Sequence, residues 1–338
     1  MDPMDELRPI NNSQVKAWRR CRRAWWYKYD QLLVPKAKRL PLYKGSWVHA
    51  CLETHYKQGD WKVGYNLYLA EYNKLPQEAQ VELSKGRSGR PGTPLPQIVK
   101  RIMLSYLWYN KAEGWSVYAV EKTFDFVFHG VRFKGTIDLI VQDEEGFLWV
   151  IDHKTTSSIP TASSFHAMDP QLQLYPWAAK QAWGLEIAGI IWNYVKSSPP
   201  SVPKMTKAGR ISRSKVVTDY PTMVRFLKDN GFDPADFSDI LRPLRKQSPF
   251  LRRYKMPRER QVTKTIIQEY LVTAREIYSR PPITRSITKE CVQCDYVKLC
   301  QGDLNGMDTT SLRRSDYDIE DVTIKHGDYD STESENYN

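Results

Sequence analysis

The sequence predicts a mixed α/β fold in which a mixed sheet is flanked by helices. Helical patterns cover much of residues 12–112, and the period-two alternation typical of β-strands covers residues 116–152. One more helix then leads to an apolar strand at 187–195. Helices, a β-meander, a helix and a returning strand, in this order, indicate an α/β core.

The composition is that of a folded protein. With 338 residues, 41% of them hydrophobic and 12% aromatic, the chain can bury a sizeable core. No run reaches the roughly 18 apolar residues that a membrane span requires, and residues 1–11 lack the apolar stretch of a signal peptide. We therefore expect a cytoplasmic protein without membrane contact.

The charge distribution is strongly basic outside the last residues. The formal net charge is +11, but residues 315–338 hold eight acidic side chains and one lysine, which leaves +18 for residues 1–314. Such a balance suits a polyanionic partner and is also common as solvated surface. Charge alone therefore leaves nucleic-acid binding open.

The first predicted element is a basic, aromatic-rich helix at residues 12–30, capped by Asn12 or Ser13. Its aromatic side chains recur at helical spacing, which favours core packing over stacking on bases. A Gly/Pro/Ser-rich loop at 84–94 interrupts the helices that follow. These helices span about residues 45–58, 65–83 and 96–112.

The sheet is predicted next. Its first three strands span about residues 116–128, 131–141 and 147–152. Asp169 and Pro170 mark a helix start, because proline is favoured at the first helical position. This helix extends to about Trp183 and leads into the buried strand at 187–195.

The segment 196–262 breaks this regularity and is predicted to be an accessory insertion. It carries 16 basic and six acidic side chains, and helices are expected near residues 220–230 and 234–242. Its excess charge suits contact with the backbone of a polyanionic partner. The candidates for that contact are Arg252, Arg253 and Lys255.

Two predicted strands end in residues that can carry chemistry. Asp138 ends one strand, and Asp152 and Lys154 end its neighbour on a shared face, because residues two apart on a strand point the same way. Two carboxylates can hold Mg²⁺ or Mn²⁺, while a lysine can orient water and stabilise a phosphate. The alternative is that both aspartates cap turns and the lysine is ordinary surface.

Two further motifs complete a series. Gly45-Ser-Trp-Val-His49 precedes the sheet, and Gln171-Leu-Gln-Leu-Tyr175 follows it, with Gln171 and Tyr175 on one helix face. The order Gly-x-x-x-His, Gly-x-x-Asp, Asp-x-Lys, Gln-x-x-x-Tyr resembles the RecB-like branch of the PD-(D/E)XK nucleases, which includes helicase-coupled domains and CRISPR-adaptation nucleases. The resemblance leaves residues 196–262 unaccounted for.

This resemblance implies a restriction-endonuclease-like core and a role for each residue of the series. The implied metal ligands are His49, Asp138, Asp152 and the backbone carbonyl of His153. Lys154 becomes the catalytic lysine, and Gln171 and Tyr175 position the DNA strand and the active-site residues. Water then attacks in line and leaves a 5′-phosphate and a 3′-hydroxyl.

Glu121 and Pro176 lie close to these motifs in the sequence. Glu121, on the strand before Asp138, is expected to face solvent rather than the site. Pro176 directly follows Tyr175 and disfavours helical geometry there, so we expect a kink that leaves the orientation of Tyr175 open.

The cysteines form a C-x2-C-x5-C cluster at Cys291, Cys294 and Cys300, with a remote fourth thiol at Cys21 or Cys51. This spacing suits tetrahedral zinc or an iron–sulfur cluster. Related nucleases of the AddB and CRISPR-adaptation types carry one cysteine before the nuclease core and three after it around a [4Fe–4S] cluster. The resemblance therefore implies such a cluster on Cys21 and the three clustered cysteines, with structural zinc as the alternative and Cys51 as a buried thiol.

The predicted function is metal-dependent cleavage of DNA phosphodiester bonds. We expect an exonuclease on single-stranded or frayed ends, acting in recombination, repair or phage DNA metabolism inside a bacterium or a phage-infected host cell. A structure-selective, resolvase-like endonuclease and a catalytically silent DNA-binding scaffold remain alternatives. The sequence shows no Gly-x-x-x-x-Gly-Lys-Ser/Thr loop, so unwinding would come from a helicase or recombination partner.

Five segments follow from these assignments. They are an N-terminal basic and aromatic helix with the first cluster cysteine (1–44), a nuclease core (45–195) with a helical insertion at about 60–113, the accessory insertion (196–262), a C-terminal helix with the cysteine cluster (263–314), and an acidic disordered tail (315–338).

Overall fold

The computed structural model describes residues 7–36, 40–85, 92–111, 113–161, 168–212 and 217–320. Two compact units emerge from its internal contacts. The first comprises Met1–Asn12 and Arg39–Val272, and the second comprises Ser13–Lys38 and Thr273–Asn338.

The helices and strands of the described residues are numbered in chain order. The helices are α1 (Asn12–Arg20), α2 (Arg22–Trp25), α3 (Leu40–Gln58), α4 (Trp61–Lys74), α5 (Gln77–Ser84), α6 (Leu95–Tyr109), α7 (Pro170–Trp183), α8 (Tyr220–Asp229), α9 (Ser238–Lys246), α10 (Arg260–Tyr278), α11 (Val297–Leu304) and α12 (Thr310–Asp316). The strands are β1 (Leu33–Pro35), β2 (Trp115–Phe128), β3 (Val131–Asp143), β4 (Leu148–Thr156), β5 (Ile187–Lys196), β6 (Leu251–Pro257) and β7 (Tyr317–Ile319).

The first unit is built on a five-stranded sheet in the order β2-β3-β4-β5-β6. The pairs β2–β3, β3–β4 and β5–β6 are antiparallel, while β4 and β5 run parallel. A parallel pair needs a crossover connection, and α7 supplies it by packing against β5 and β2. The predicted mixed sheet flanked by helices is confirmed.

The last strand of this sheet corrects one boundary. β6 pairs along its length with β5, from Gly189↔Pro257 to Val195↔Leu251. Residues 251–257 were predicted to lie in the accessory insertion, but they form an edge of the core sheet. The sequence pattern did not reveal this, because an edge strand returning after a long excursion has no local signal for its pairing partner.

A helical layer lies next to the sheet and carries part of the site. Buried aromatic and aliphatic side chains of α3, α4 and α6 form one hydrophobic cluster, and Trp47 and Met103 are fully buried within it. α3 and α4 approach closely at Gly64, where a Cβ atom would overlap the backbone carbonyl oxygen of Ala50. Glycine at this crossing therefore holds α3, the helix that bears His49, against its neighbour.

The second unit corrects the first predicted helix. The continuous helix expected at 12–30 is interrupted at Cys21, whose backbone is extended with φ −162° and ψ 112°. The chain then resumes as α2 and ends in a π-helical turn, Trp26–Asp30. The break turns the chain at the proposed cluster ligand, and neither glycine nor proline marks it in the sequence.

The start of the acidic tail is ordered, against the expectation of disorder from Ser315. α12 extends to Asp316, and β7 pairs antiparallel with β1. Tyr317 is buried and stacks on Tyr296, with ring centroids 5.7 Å apart. This aromatic contact offsets the acidic composition, and the rest of the predicted tail lies outside the described residues.

Among the helices of the described residues, none is long and apolar enough to cross a membrane.

Candidate active site

The site begins where the pairing of β3 and β4 ends. The ladder between these strands starts at Leu139↔Ile151, so Asp138 and Asp152 lie just beyond it. There the backbone N–H of His153 donates to Asp138 Oδ2 at 3.0 Å, in place of a strand-to-strand bond. The local pairing thus directs Asp138 toward the end of β4.

Asp152 and Lys154 form an ion pair on one face of β4, in which the carboxylate is buried and the lysine is partly exposed. Lys154 Nζ lies 2.6 Å from Asp152 Oδ2, and Asp152 is almost completely buried. Burial raises the pKa of Asp152, an effect that the charge of Lys154 opposes. Burial alone would lower the pKa of Lys154, but Asp152 raises it above its usual value. Lys154 is therefore a protonated ammonium group at neutral pH.

The helix α7 fixes this pair. Gln171 Nε2 donates to Asp152 Oδ1 at 3.3 Å, and Lys154 Nζ donates to Gln171 Oε1 at 3.1 Å. Gln171 Nε2 also donates to the Tyr175 hydroxyl at 3.0 Å. The helix continues through Pro176, and Tyr175 faces the pair. One glutamine amide thus orients both members of the predicted Asp-x-Lys motif.

His49 reaches the site from α3. Its Nδ1 atom lies 3.8 Å from Asp138 Oδ2, and its ring meets the ring of His153 edge-on at 6.0 Å. His49, Asp138 and Lys154 line one cavity of about 560 Å³, together with Glu53 and Glu121. We call it the active-site cavity.

Glu121 belongs to this cavity and was wrongly expected to face solvent. Its backbone has φ 46°, a left-handed conformation that is uncommon outside glycine, and its side chain lines the cavity. Burial, followed by the charge of Asp138, raises the pKa of Glu121 to about 8. Val120 pairs with Leu139 and Lys122 with Ile137, so Glu121 lies opposite Asp138, and the sequence alone did not define this register.

The raised pKa of Glu121 predicts a pH dependence in the metal-free protein. The folded-state pKa lies above that of an unfolded glutamic acid, so the free energy of unfolding falls as pH rises from about 4.5 to about 8. The melting temperature in EDTA should decrease over this interval, and Glu121→Gln should reduce the decrease by roughly several °C. Glu144→Gln, at an exposed turn, is the control. A Glu121→Gln profile parallel to the wild type would contradict the buried placement.

A buried polar row supports β4 from the opposite face. His153, Asn193 and Arg253 are cross-strand neighbours on β4, β5 and β6. Arg253 Nε donates to Asn193 Oδ1 at 3.1 Å, which turns the amide nitrogen of Asn193 toward His153 Nδ1 at 2.7 Å. Burial lowers the pKa of His153, so its ring is neutral, accepts this bond at Nδ1 and carries its proton on Nε2.

Arg253, the cation among these three residues, is neutralised by a carboxylate of the same unit. Arg253 Nη2 lies 2.5 Å from Glu113 Oε1 and also donates to the Tyr106 hydroxyl at 3.0 Å. Arg253 therefore does not extend toward solvent as the predicted DNA contact. By the alternation of β6, Arg252 lies on the other face, in the cross-strand row of Lys154 and Tyr194.

The hydrogen bonds from Arg253 through Asn193 to His153 predict that Arg253 holds the end of β4 in position at the active-site cavity. In Arg253→Met, Asn193 loses its anchor and Glu113 is left without its cation. We expect kcat to fall roughly 10- to 100-fold with little change in KM, together with a loss of about 2–4 kcal/mol of stability. The double variant Arg253→Met, Glu113→Leu removes the unpaired charge and should recover stability without recovering kcat. Wild-type kcat in a folded Arg253→Met protein would exclude this role.

The four predicted cluster cysteines lie together in the second unit. Cys21, Cys291, Cys294 and Cys300 line one cavity of about 210 Å³. Cys51 instead packs in the hydrophobic cluster of the first unit, where burial raises the pKa of its thiol to about 12.

The active-site cavity and the cysteine cavity offer different donor atoms to the metals that the resemblance implies. Within the described ranges, no three His, Cys, Asp or Glu side chains are arranged closely enough to hold a metal ion. The donor types nevertheless fit: the carboxylate oxygens of Asp138 and Asp152 suit a hard cation, and the ammonium group of Lys154, 2.6 Å from Asp152 Oδ2, is the positive charge that the buried carboxylate contacts in this structure. Four thiols around one cavity suit zinc or an iron–sulfur cluster.

The mixed sheet and the carboxylate, lysine and histidine groups at its end are those of a nuclease. The chain belongs to the PD-(D/E)XK nuclease superfamily, whose family model matches residues 9–301.

Solved structures with some similarity to this chain share little sequence identity with it. One similar solved structure is an exonuclease candidate from Eubacterium rectale, at 13% identity and a TM-score of 0.37, with 75% of this chain and 86% of that chain covered. Another is the protein SSO0001, at 14% identity and a TM-score of 0.28, with 85% and 94% covered. Both TM-scores are too low to support an argument. No curated protein sequence matches significantly.

Proposed function

We propose that the protein is a Mg²⁺- or Mn²⁺-dependent exonuclease that degrades single-stranded or frayed DNA ends in recombination, repair or phage DNA metabolism. The observation that supports it is that Asp138 and Lys154 line one cavity, while Asp152 is buried directly beside it and pairs with Lys154. The proposed metal ligands are His49, Asp138, Asp152 and the His153 carbonyl. A bound cation would polarise the scissile phosphate and lower the pKa of the attacking water.

The residues of the chain have separate tasks in this proposal. The ammonium group of Lys154 stabilises the negative charge that develops on the phosphate. Gln171 holds Asp152 and Lys154 in register, and Tyr175 holds Gln171. The products are a 5′-phosphate and a 3′-hydroxyl.

A comparison of circular and linear substrates tests the exonuclease assignment. Linear single-stranded DNA should be degraded in Mg²⁺ or Mn²⁺ to mononucleotides or short oligomers, while closed circular single-stranded DNA of the same sequence stays intact. Cutting of the circle, or defined nicks in branched duplexes, would favour the resolvase-like endonuclease. Binding to both substrates with cleavage of neither would favour the silent scaffold.

Arg252 remains a proposed contact with the DNA backbone because it shares the face of Lys154. Arg252→Gln should weaken binding and reduce the slope of log affinity against log salt by about 1, as one phosphate contact is lost. Lys255 is a weaker candidate, since its Nζ lies 3.0 Å from Asp143 Oδ2. Lys180→Gln, at an exposed pair with Glu186, is the control. An unchanged slope in Arg252→Gln would mark it as solvated surface.

We further propose that the cysteine cavity of the second unit holds a [4Fe–4S] cluster, with structural zinc as the alternative. The common cavity supports Cys21 as the fourth ligand, and the raised pKa of Cys51 disfavours it as a thiolate. DNA is the proposed substrate, a helicase or recombination protein the proposed partner, and the bacterial cytoplasm the proposed location.

A further inference from the structure

A second and larger cavity lies in the first unit, outside the active-site cavity. It encloses about 1370 Å³ between α6, α8 and the start of β2. We call it the α6–α8 pocket. Small-molecule sites typically occupy roughly 300–1,000 Å³, so the pocket has room for a segment of a polymer.

Buried polar atoms on the pocket wall have no partner among the described residues. Asp219 is 0% exposed: its Oδ1 caps α8 by accepting from the Thr222 N–H, and its Oδ2 accepts no hydrogen bond. Ser105 Oγ, on a residue 3% exposed, and His55 Nδ1 are also unpartnered. Burial of a carboxylate oxygen without a donor is costly, so this wall is suited to a ligand that brings N–H donors.

The rim of the pocket has the opposite charge. Lys111 and Arg225 are exposed there against one exposed carboxylate, Asp229. Of the two other lining carboxylates, Glu113 is paired with Arg253, and Asp219 is the buried group on the wall. A cationic peptide would meet repulsion at this rim, whereas a phosphate would be attracted.

Aromatic side chains also line the α6–α8 pocket and favour a flat ligand. Trp108 lines the pocket and stacks on Tyr220, with ring centroids 4.7 Å apart, while Phe226 is buried in the wall. Flat apolar surfaces of this kind bind nucleobases. A wall whose buried carboxylate oxygen lacks a hydrogen-bond donor among the described residues, flat aromatic surfaces and exposed cations together match the amino group, the base and the phosphate of a nucleotide.

We propose that the α6–α8 pocket binds a nucleotide of the DNA strand whose base carries an exocyclic amino group. The amino N–H donates to Asp219 Oδ2, and the phosphate lies near Lys111 and Arg225. Thymine is disfavoured, because its single N–H donor is flanked by two carbonyl oxygens that face the carboxylate. The proposal rests on the proposed DNA substrate and adds a base preference to it.

Binding without cleavage tests the pocket separately from the nuclease activity. In EDTA at pH 8, fluorescence anisotropy with labelled oligo(dC) and oligo(dT) of twelve nucleotides should show that the full chain binds oligo(dC) roughly tenfold more tightly. Asp219→Asn keeps the helix cap and should reduce that ratio to about twofold or less. Asp233→Asn, an exposed cap that accepts from the Ala235 N–H, should retain the ratio.

Different results would contradict base binding in the α6–α8 pocket and the proposed nuclease activity. Equal affinities in the wild type, or a ratio that survives Asp219→Asn, would overturn the pocket even if Mg²⁺-dependent cleavage is observed. A base preference that disappears in Asp219→Asn, with no cleavage in any metal, would support the pocket and overturn the nuclease. If Asp219→Asn melts early, Lys111→Gln with Arg225→Gln should weaken both oligonucleotides about tenfold. Unchanged affinity in that variant, or preferential binding of oligolysine, also overturns the pocket.

Discussion

Lys154→Ala is expected to abolish DNA cleavage without unfolding the protein. The lysine Nζ lies 2.6 Å from Asp152 Oδ2, and in the proposed mechanism its loss removes the charge that stabilises the transition state. Loss of such a group, or of a metal ligand in Asp152→Ala, raises the barrier by several kcal/mol, which lowers the rate by orders of magnitude. The measurement is single-turnover cleavage of labelled DNA beside a melting curve.

Lys134→Ala is a control for this substitution, because Lys134 lies on β3 and pairs with Asp125 away from the cavity. It should cleave at the wild-type rate. Near-wild-type cleavage by Lys154→Ala or Asp152→Ala, with the metal dependence intact, would show that the hydrolytic site lies elsewhere.

The purified protein is expected to be brown if the proposed cluster is present, and Cys21→Ser and Cys294→Ser are then expected to lose that colour and to melt at a lower temperature. Cys21 and Cys291 are 270 residues apart, and fixing so long a loop restricts the unfolded chain by roughly 5 kcal/mol, by analogy with a disulfide. That is comparable with the whole stability of many domains. The cluster is thus expected to be structural, since hydrolysis needs a hard cation with exchangeable water.

Cys51→Ser is the matched control, because this thiol packs in the hydrophobic cluster of the first unit. It should keep the visible absorbance of the protein. Anaerobic purification with iron, sulfide and zinc analysis completes the experiment. Stoichiometric zinc without sulfide would replace the iron–sulfur proposal, and loss of colour in Cys51→Ser but not in Cys21→Ser would change the fourth ligand.

Residues placed by a regular local period could be predicted from the sequence. Asp138, Asp152 and Lys154 follow apolar strands whose alternation sets which way each side chain points, and the structure brings them together. α7 was predicted from the Asp169-Pro170 start, and its N-cap bond from Gln171 N to Asp169 Oδ1 is present at 3.0 Å. The mixed sheet follows from the same patterns.

Residues placed by an irregular backbone or by a distant pairing could not be predicted. Glu121 lines the cavity because the pairing of β2 with β3 places it opposite Asp138, and the alternation of β2 alone does not encode that register. Arg253 was taken for a DNA contact because β6 was not recognised as a strand of the core sheet. The tail residue Tyr317 is ordered by a stacking partner 21 positions earlier, Tyr296, and composition alone carries no information about such a contact.

Digestion of end-labelled linear single-stranded DNA in Mn²⁺, in Mg²⁺ and in EDTA tests the central claim most directly. The wild-type protein is expected to release short labelled products with either metal and none in EDTA, and Asp152→Asn is expected to release none in any condition. Cleavage that persists in EDTA, or that Asp152→Asn retains in Mn²⁺ at the wild-type rate, would contradict a hydrolytic metal site at Asp138, Asp152 and Lys154.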